Sequence, residues 1–225
     1  MTALKLHDIC FSYNSENKVL DHVCMELKEG SASAIHGPSG AGKSTLGMIA
    51  CGLIPKIVPG FFTGSVEVFS TDIADKKIHQ TASLISMVLQ DGVNQLFSTS
   101  VIDEAAFAPE NLCINPKEIN RRAETVLDST GLAAYLQTHP AMLSGGQQKL
   151  LALASILTLA PKILILDEPA AGVDEQRVAF LKEIFLKLKN KGKTLLIIEH
   201  SQVFSDLCDT VYELKNGNLN IADNA

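Results

Sequence analysis

Between a short apolar run, Ser31 to His36, and a helical stretch from Lys43 to Cys51, the chain reads Gly37-Pro38-Ser39-Gly40-Ala41-Gly42-Lys43-Ser44. No other segment restricts the fold as much. The glycines let backbone N–H groups curl inward, because side chains would block the approach. The helix that follows aims the positive end of its dipole at the same point. The spacing G-x-x-x-x-G-K-S/T is therefore a cradle for phosphate, in which Lys43 reaches the terminal phosphates and the Ser44 hydroxyl ligates Mg2+. A chance Gly-rich turn would not come with a strand before it and a helix after it.

The remaining pattern fits an α/β core. Leu4 to Tyr13, Val19 to Leu27 and Gly64 to Phe69 alternate like strands, and Leu84 to Leu89 reads as a buried one. From about Asn94 to Ala160 the pattern is helical, with loops expected at Pro109, Pro116 and Pro140. Ile163 to Leu166 is a continuous apolar strand of the kind covered on both faces of a parallel sheet. A helix from Asp174 to Asn190, a strand from Thr194 to Ile198 and a hairpin at Asn216-Gly217 complete the chain. With 225 residues, 46% of them hydrophobic, there is material for one substantial core and not for two. The reading is a single unit over 1–225, with a core of 1–92 and 161–225 and a helical insert at 93–160.

Charge and cysteines narrow the function classes. Nineteen basic against 25 acidic residues give a net charge of -6, the wrong sign for a nucleic-acid surface. Cysteines 10, 24, 51, 113 and 208 show no spacing of a metal knuckle or redox pair, so thiols in a reducing cytosol are expected. Met1 to Phe11 mixes Lys5, His7 and Asp8 among its apolar residues, unlike a signal peptide. Leu150 to Ala160 is broken by Ser155 and Thr158 and is too short to span a bilayer. Any membrane role must then come through a partner.

Two further motifs carry chemistry. Ile163-Leu164-Ile165-Leu166 ends in Asp167-Glu168. An acid at the tip of a buried strand can hold Mg2+ at the mouth of a parallel sheet, and Glu168, one step on, can act as general base toward water. Leu143-Ser144-Gly145-Gly146-Gln147 is a second anion-binding nest at a helix start. One γ-phosphate does not need two nests from one chain, so the second is expected to serve a neighbouring subunit, with ATP between the two.

With these motifs in order, nearly the whole chain resembles the ATP-binding cassette (ABC) family. The resemblance implies a P-loop NTPase core, a RecA-like mixed sheet flanked by helices, with an antiparallel β subdomain and an inserted α-helical subdomain. It assigns ATP contacts to Gly37, Pro38, Ser39, Gly40, Ala41, Gly42, Lys43, Ser44 and Thr45, and to Ser144, Gly145, Gly146 and Gln147. It further implies Tyr13 stacking on adenine, Gln90 sensing Mg2+ and the γ-phosphate, Asp174 reaching across the dimer and His200 contacting the γ-phosphate. Mg2+ falls to Ser44, Gln90 and Asp167, and catalysis to Glu168, His200 and Gln90. The segments Gln90 to Phe97, Val101 to Leu112, Leu53 to Pro55 and Pro59 to Val68 are similar to ATPases of energy-coupling-factor importers of vitamins and metal ions.

The implied partners are a second ATPase cassette, identical or not, and an integral membrane subunit against the 91–112 region. Phe97, Ala106, Phe107 and Leu112 are expected to line its groove. The implied location is cytoplasmic, peripheral on the inner face of the cell membrane. The rival reading is a soluble ABC ATPase acting on DNA or the ribosome, disfavoured by the absence of a heptad run and by the acidic charge. The chain departs from the family at Lys149-Leu150, where Gln-Arg is usual, at Ala170 for Thr or Ser, and at Val173 for Leu.

Replacing Lys43 by Ala is expected to abolish tight ATP binding in a calorimetric titration. Unchanged affinity would contradict the phosphate-cradle reading.

Overall fold

The computed structural model describes residues 1–14 and 17–222, with backbone only at Val93 and Asn94. Those two side chains, part of the segment likened to energy-coupling ATPases, lie outside the described residues. The strands are β1 (Thr2–Ser12), β2 (Leu20–Lys28), β3 (Ala32–His36), β4 (Phe61–Val68), β5 (Thr71–Asp72), β6 (Ile85–Val88), β7 (Ile163–Asp167), β8 (Thr194–Ile198), β9 (Thr210–Lys215) and β10 (Asn218–Ile221). The helices are α1 (Lys43–Ala50), α2 (Ile78–Thr81), α3 (Val101–Asn111), α4 (Pro116–Ser129), α5 (Gly145–Leu157) and α6 (Glu175–Asn190).

Among the described residues the strands form two sheets. One is antiparallel, in the order β2-β1-β4-β5; the other runs β10-β9-β3-β8-β7-β6. In the second, β9, β3, β8, β7 and β6 are parallel and only β10 runs against them. The parallel strands are apolar on both faces because both faces are covered. On one side, Ile35, Ile165, Leu196 and Ile198 join α1 (Leu46, Ile49) and the antiparallel sheet (Leu4, Leu6, Phe11, Val23, Val68) in one core. On the other, Leu164, Leu166, Leu195 and Ile197 meet Leu181, Ile184 and Phe185 of α6. Strand β2 instead alternates, with Leu20, Val23, Met25 and Leu27 buried and His22, Cys24 and Glu26 exposed, because only one of its faces is covered.

The helical stretch has its own core, built from Val101 and Ala105 of α3, Ala123 and Leu127 of α4, and Leu151 and Ala154 of α5. Helix α5 belongs to two cores at once, since Leu153 packs with α6 and β7. Leu150, where the family usually carries Arg, packs against both. An apolar residue is thus accommodated there as part of the joint between them.

The prolines depart from expectation. Pro109 lies inside α3 rather than in a loop, Pro116 is the first residue of α4, and Pro140 opens a 3-10 turn over Pro140–Met142. A first-turn proline fits because its missing N–H would be unpaired in any case. Pro109 needs another explanation, since it leaves the carbonyl of Ala105, four residues earlier, without its helical donor. Thr158, fully buried, supplies one: its hydroxyl lies 2.8 Å from Ala105 O and 2.6 Å from Ser155 O, sharing one proton between them. The short β5 and α2 carry too few residues to show a period and were not expected.

Thr158→Val keeps the shape and removes that donor. Urea denaturation is expected to show a loss of about 1–3 kcal/mol, the cost of an unpaired buried carbonyl.

Candidate functional site

The C-terminal ends of four neighbouring parallel strands open on one mouth. Strand β3 delivers Gly37 to Lys43, β6 leads to Gln90, β7 ends at Asp167 and Glu168, and β8 runs into Glu199 and His200. This is the edge of an open α/β sheet where ligands bind.

The loop after β3 is held by close backbone packing. At Gly37, with φ 154°, an added Cβ would sit 2.2 Å from Leu214 O on the neighbouring strand, so no larger residue fits. Lys43 is buried, and its Nζ donates to Gly37 O at 2.8 Å and Pro38 O at 3.0 Å, placing the ammonium at the centre of the loop. Tyr13 is half exposed, with its hydroxyl 2.9 Å from Thr45 Oγ1 and its ring edge-on to Phe11.

Ser44 Oγ donates to Asp167 Oδ1 at 3.0 Å, joining the start of α1 to the end of β7. Asp167 is 5% exposed, and burial pushes its carboxyl up from the usual 3.8 to about 6. Gln90 Nε2 donates to Glu168 Oε2 at 2.9 Å, and His200 Nδ1 stands 3.8 Å from Glu168 Oε1. Glu168 has φ 46°, a left-handed conformation unusual for a non-glycine residue and held here by Glu168 N donating to Ile198 O at 2.8 Å. The oxygens of Ser44, Asp167 and the Gln90 carboxamide are hard donors, a set that suits Mg2+.

The 143–147 segment is built differently. Ser144 caps α5: Gln147 N donates to Ser144 Oγ at 3.4 Å, and Ser144 N donates to Gln147 Oε1 at 2.9 Å. Among the described residues no hydrogen bond joins 143–147 to the 37–45 loop. Ser144 and Gly145 are exposed, and a Cβ at Gly145 would meet nothing within 4 Å. So the structure brings Lys43, Ser44, Asp167, Glu168, Gln90 and His200 together and leaves the second nest facing outward.

Arg177 and Glu199 were not singled out in the sequence, and Lys149 was noted there only as a departure from the family pattern. Arg177 lies over Gly146 and bridges Asp174 Oδ2 (3.3 Å) and Ser144 Oγ (3.4 Å), tying the start of α6 to the start of α5. Its spacing of three from Asp174 was the available clue. Lys149 donates to Ala171 O, anchoring α5 to the loop before Asp174. Glu199 is buried, its carboxyl raised by burial, and it accepts from Ser201 Oγ at 2.9 Å. Of the four residues expected to line a partner groove, Phe97 and Phe107 are exposed and stack edge-on, with ring centroids 4.6 Å apart. Ala106 is buried and Leu112 is half-buried.

The chain belongs to the ABC transporter family, whose model matches residues 20–171. A putative ABC transporter ATP-binding protein of Treponema denticola is 33% identical over 218 residues, covering 96% of this chain and 44% of the relative. This chain thus spans less than half of that protein's length. The energy-coupling factor transporter ATP-binding protein EcfA1 of Mycoplasmoides gallisepticum is 32% identical over 218 residues, covering 97% of this chain and 76% of the relative. The solved structure of CbiO1 from Clostridium perfringens, described as part of the ABC transporter complex CbiONQ, superposes with a TM-score of 0.86 at 31% identity, covering 97% of this chain and 87% of that one.

The raised Asp167 carboxyl gives a pH dependence with a definite sign. Its folded value lies above its unfolded value, so the folded chain binds the proton more tightly, and stability falls as pH rises from about 4 through 6. In chelator-treated, nucleotide-free protein, Asp167→Asn is expected to raise stability above pH 6 by up to about 3 kcal/mol. The gain should vanish near pH 4, as read from urea midpoints across pH.

Proposed function

We propose that this chain is the ATP-binding and ATP-hydrolysing subunit of an energy-coupling-factor-type importer of a vitamin or metal ion. It works as one of a pair of cassettes, peripheral on the cytoplasmic face of the cell membrane. The convergence of Ser44, Asp167, Glu168, Gln90 and His200 on one sheet mouth carries the reading. The family membership supports it, as do the printed descriptions of EcfA1 and CbiO1.

In this reading residues 37–45 wrap the triphosphate, Lys43 turns from its loop carbonyls to the β- and γ-phosphates, and Tyr13 stacks on adenine. Ser44, Asp167 and Gln90 would hold Mg2+, which when bound neutralises charge on the β- and γ-phosphate oxygens. Glu168 takes a proton from the attacking water, which is held in line by Gln90 and His200 while the bond to the departing ADP breaks. Little covalent chemistry falls to the protein; positioning and charge stabilisation do the work.

The exposed nest at 144–147 caps the γ-phosphate bound to the other cassette, and Asp174 reaches across the same seam. Hydrolysis then opens the pair. The helical segment 93–160 shifts against 1–92 and 161–225, and the edge formed by Phe97 and Phe107 passes the motion to a helix of the membrane subunit.

Glu168→Gln is the test. ATP affinity should persist, turnover should fall by about 10²–10³-fold or more, and ATP should convert the variant to a pair in light scattering. Hydrolysis at the wild-type rate would remove Glu168 from the base role, and a variant that stays monomeric with saturating ATP would remove the shared-nucleotide seam.

A further inference from the structure

The first two strands meet in an irregularity that the nucleotide site does not use. Their register shifts between Leu6 and Ile9, and Asp8 and His22 both take the left-handed conformation, with φ 53° and 52°. Two strained non-glycine residues in one bulge bring polar side chains together on the exposed face. Cys10, Asp21 and His22 each direct one donor atom to within 4.8 Å of the others. Cys10 Sγ lies 3.9 Å from Asp21 Oδ1, and His22 Nε2 lies 3.8 Å from the same oxygen.

These separations approach those around a tetrahedral Zn2+, about 3.3–3.5 Å between ligands for bonds near 2.0 and 2.3 Å. His22 is also oriented as a ligand would be. Its Nδ1 is 2.6 Å from Asp8 Oδ1, and an ionised carboxylate can only accept. With Nδ1 bonded to Asp8, Nε2 is the nitrogen that faces Asp21, the carboxylate–histidine–metal arrangement. His22 N donates to Cys10 Sγ at 3.2 Å, which fixes the sulfur beside the imidazole.

We propose that Cys10, Asp21 and His22 form a binding site for a divalent transition metal of the Zn2+ class, with Asp8 holding the His22 ring and water completing the tetrahedron. One thiolate, one imidazole and one carboxylate select such an ion over Mg2+ or Ca2+. The site joins β1 to β2, so occupancy stabilises their pairing. Lys18 is its internal competitor: its Nζ sits 2.6 Å from Asp21 Oδ1 and must leave that oxygen when a cation enters.

The test uses the full chain, stripped of metal by chelation, with Co2+ as spectroscopic probe and Zn2+ measured against a chromophoric chelator. One equivalent of Co2+ should produce a thiolate-to-metal charge-transfer band. The band should be absent in Cys10→Ser and retained in Cys24→Ser. Asp8→Ala should weaken Zn2+ binding by about 10–100-fold, as loss of an outer-shell partner does, and Lys18→Ala should tighten it. Zn2+ should raise the melting temperature of the wild-type chain and not of Cys10→Ser. Asp8, Lys18 and Cys24 are exposed and Cys10 is partly buried, and circular dichroism with retained ATP binding verifies that each variant is folded. A chain without the band, a band that survives Cys10→Ser, or a Zn2+ affinity and melting shift indifferent to Cys10 and His22 would overturn the site and leave the cluster as the scaffold of a bulge.

Discussion

Asp167 is a carboxylate buried at the tip of a parallel strand, and the Ser44 hydroxyl bonded to it is the link that joins the phosphate loop to the acidic end of the sheet. Burial strengthens such a contact and also makes an unpaired charge there costly. The site therefore depends on strands β3 and β7 staying in register through β8, which lies between them. Both faces of those strands are apolar, so a slip in register would disturb two cores at once. The rigidity of the sheet and the position of the chemical groups have the same cause.

Helix α5 joins the helical segment to the sheet. Its N-terminus is capped by its own Ser144, its side is tied to the Asp174 loop through Arg177 and Lys149, and its apolar residues are divided between two cores. Lys149 and Leu150, the departures from the usual family pattern, both lie on this joint. The first makes a polar tie and the second fills the packing.

Much of the fold was legible because its signals are local. Unbroken apolar runs marked β7 and β8, alternation marked β2, Asn216-Gly217 marked the final hairpin, and three glycines before Lys43 marked the loop. Pro109 misled because a proline's effect depends on what lies near the carbonyl it orphans. Here that is Thr158, fifty-three residues away. Arg177 and Glu199 were missed for a similar reason: a lone charged residue means little until the groups around it are known.

The cysteines show the same division. Their spacing along the chain excluded a knuckle, yet a bulge in an antiparallel pair brings Cys10 beside Asp21 and His22. What the amino-acid order determined by itself was the Gly-rich and acidic motifs and the elements that carry them, because those patterns lie within single strands, loops and helix starts. Which groups face one another was decided only by the tertiary structure: Ser44 against Asp167, Gln90 and His200 about Glu168, and the 144–147 nest turned outward. Contacts between distant residues depend on sheet order and helix packing, and no local pattern encodes them.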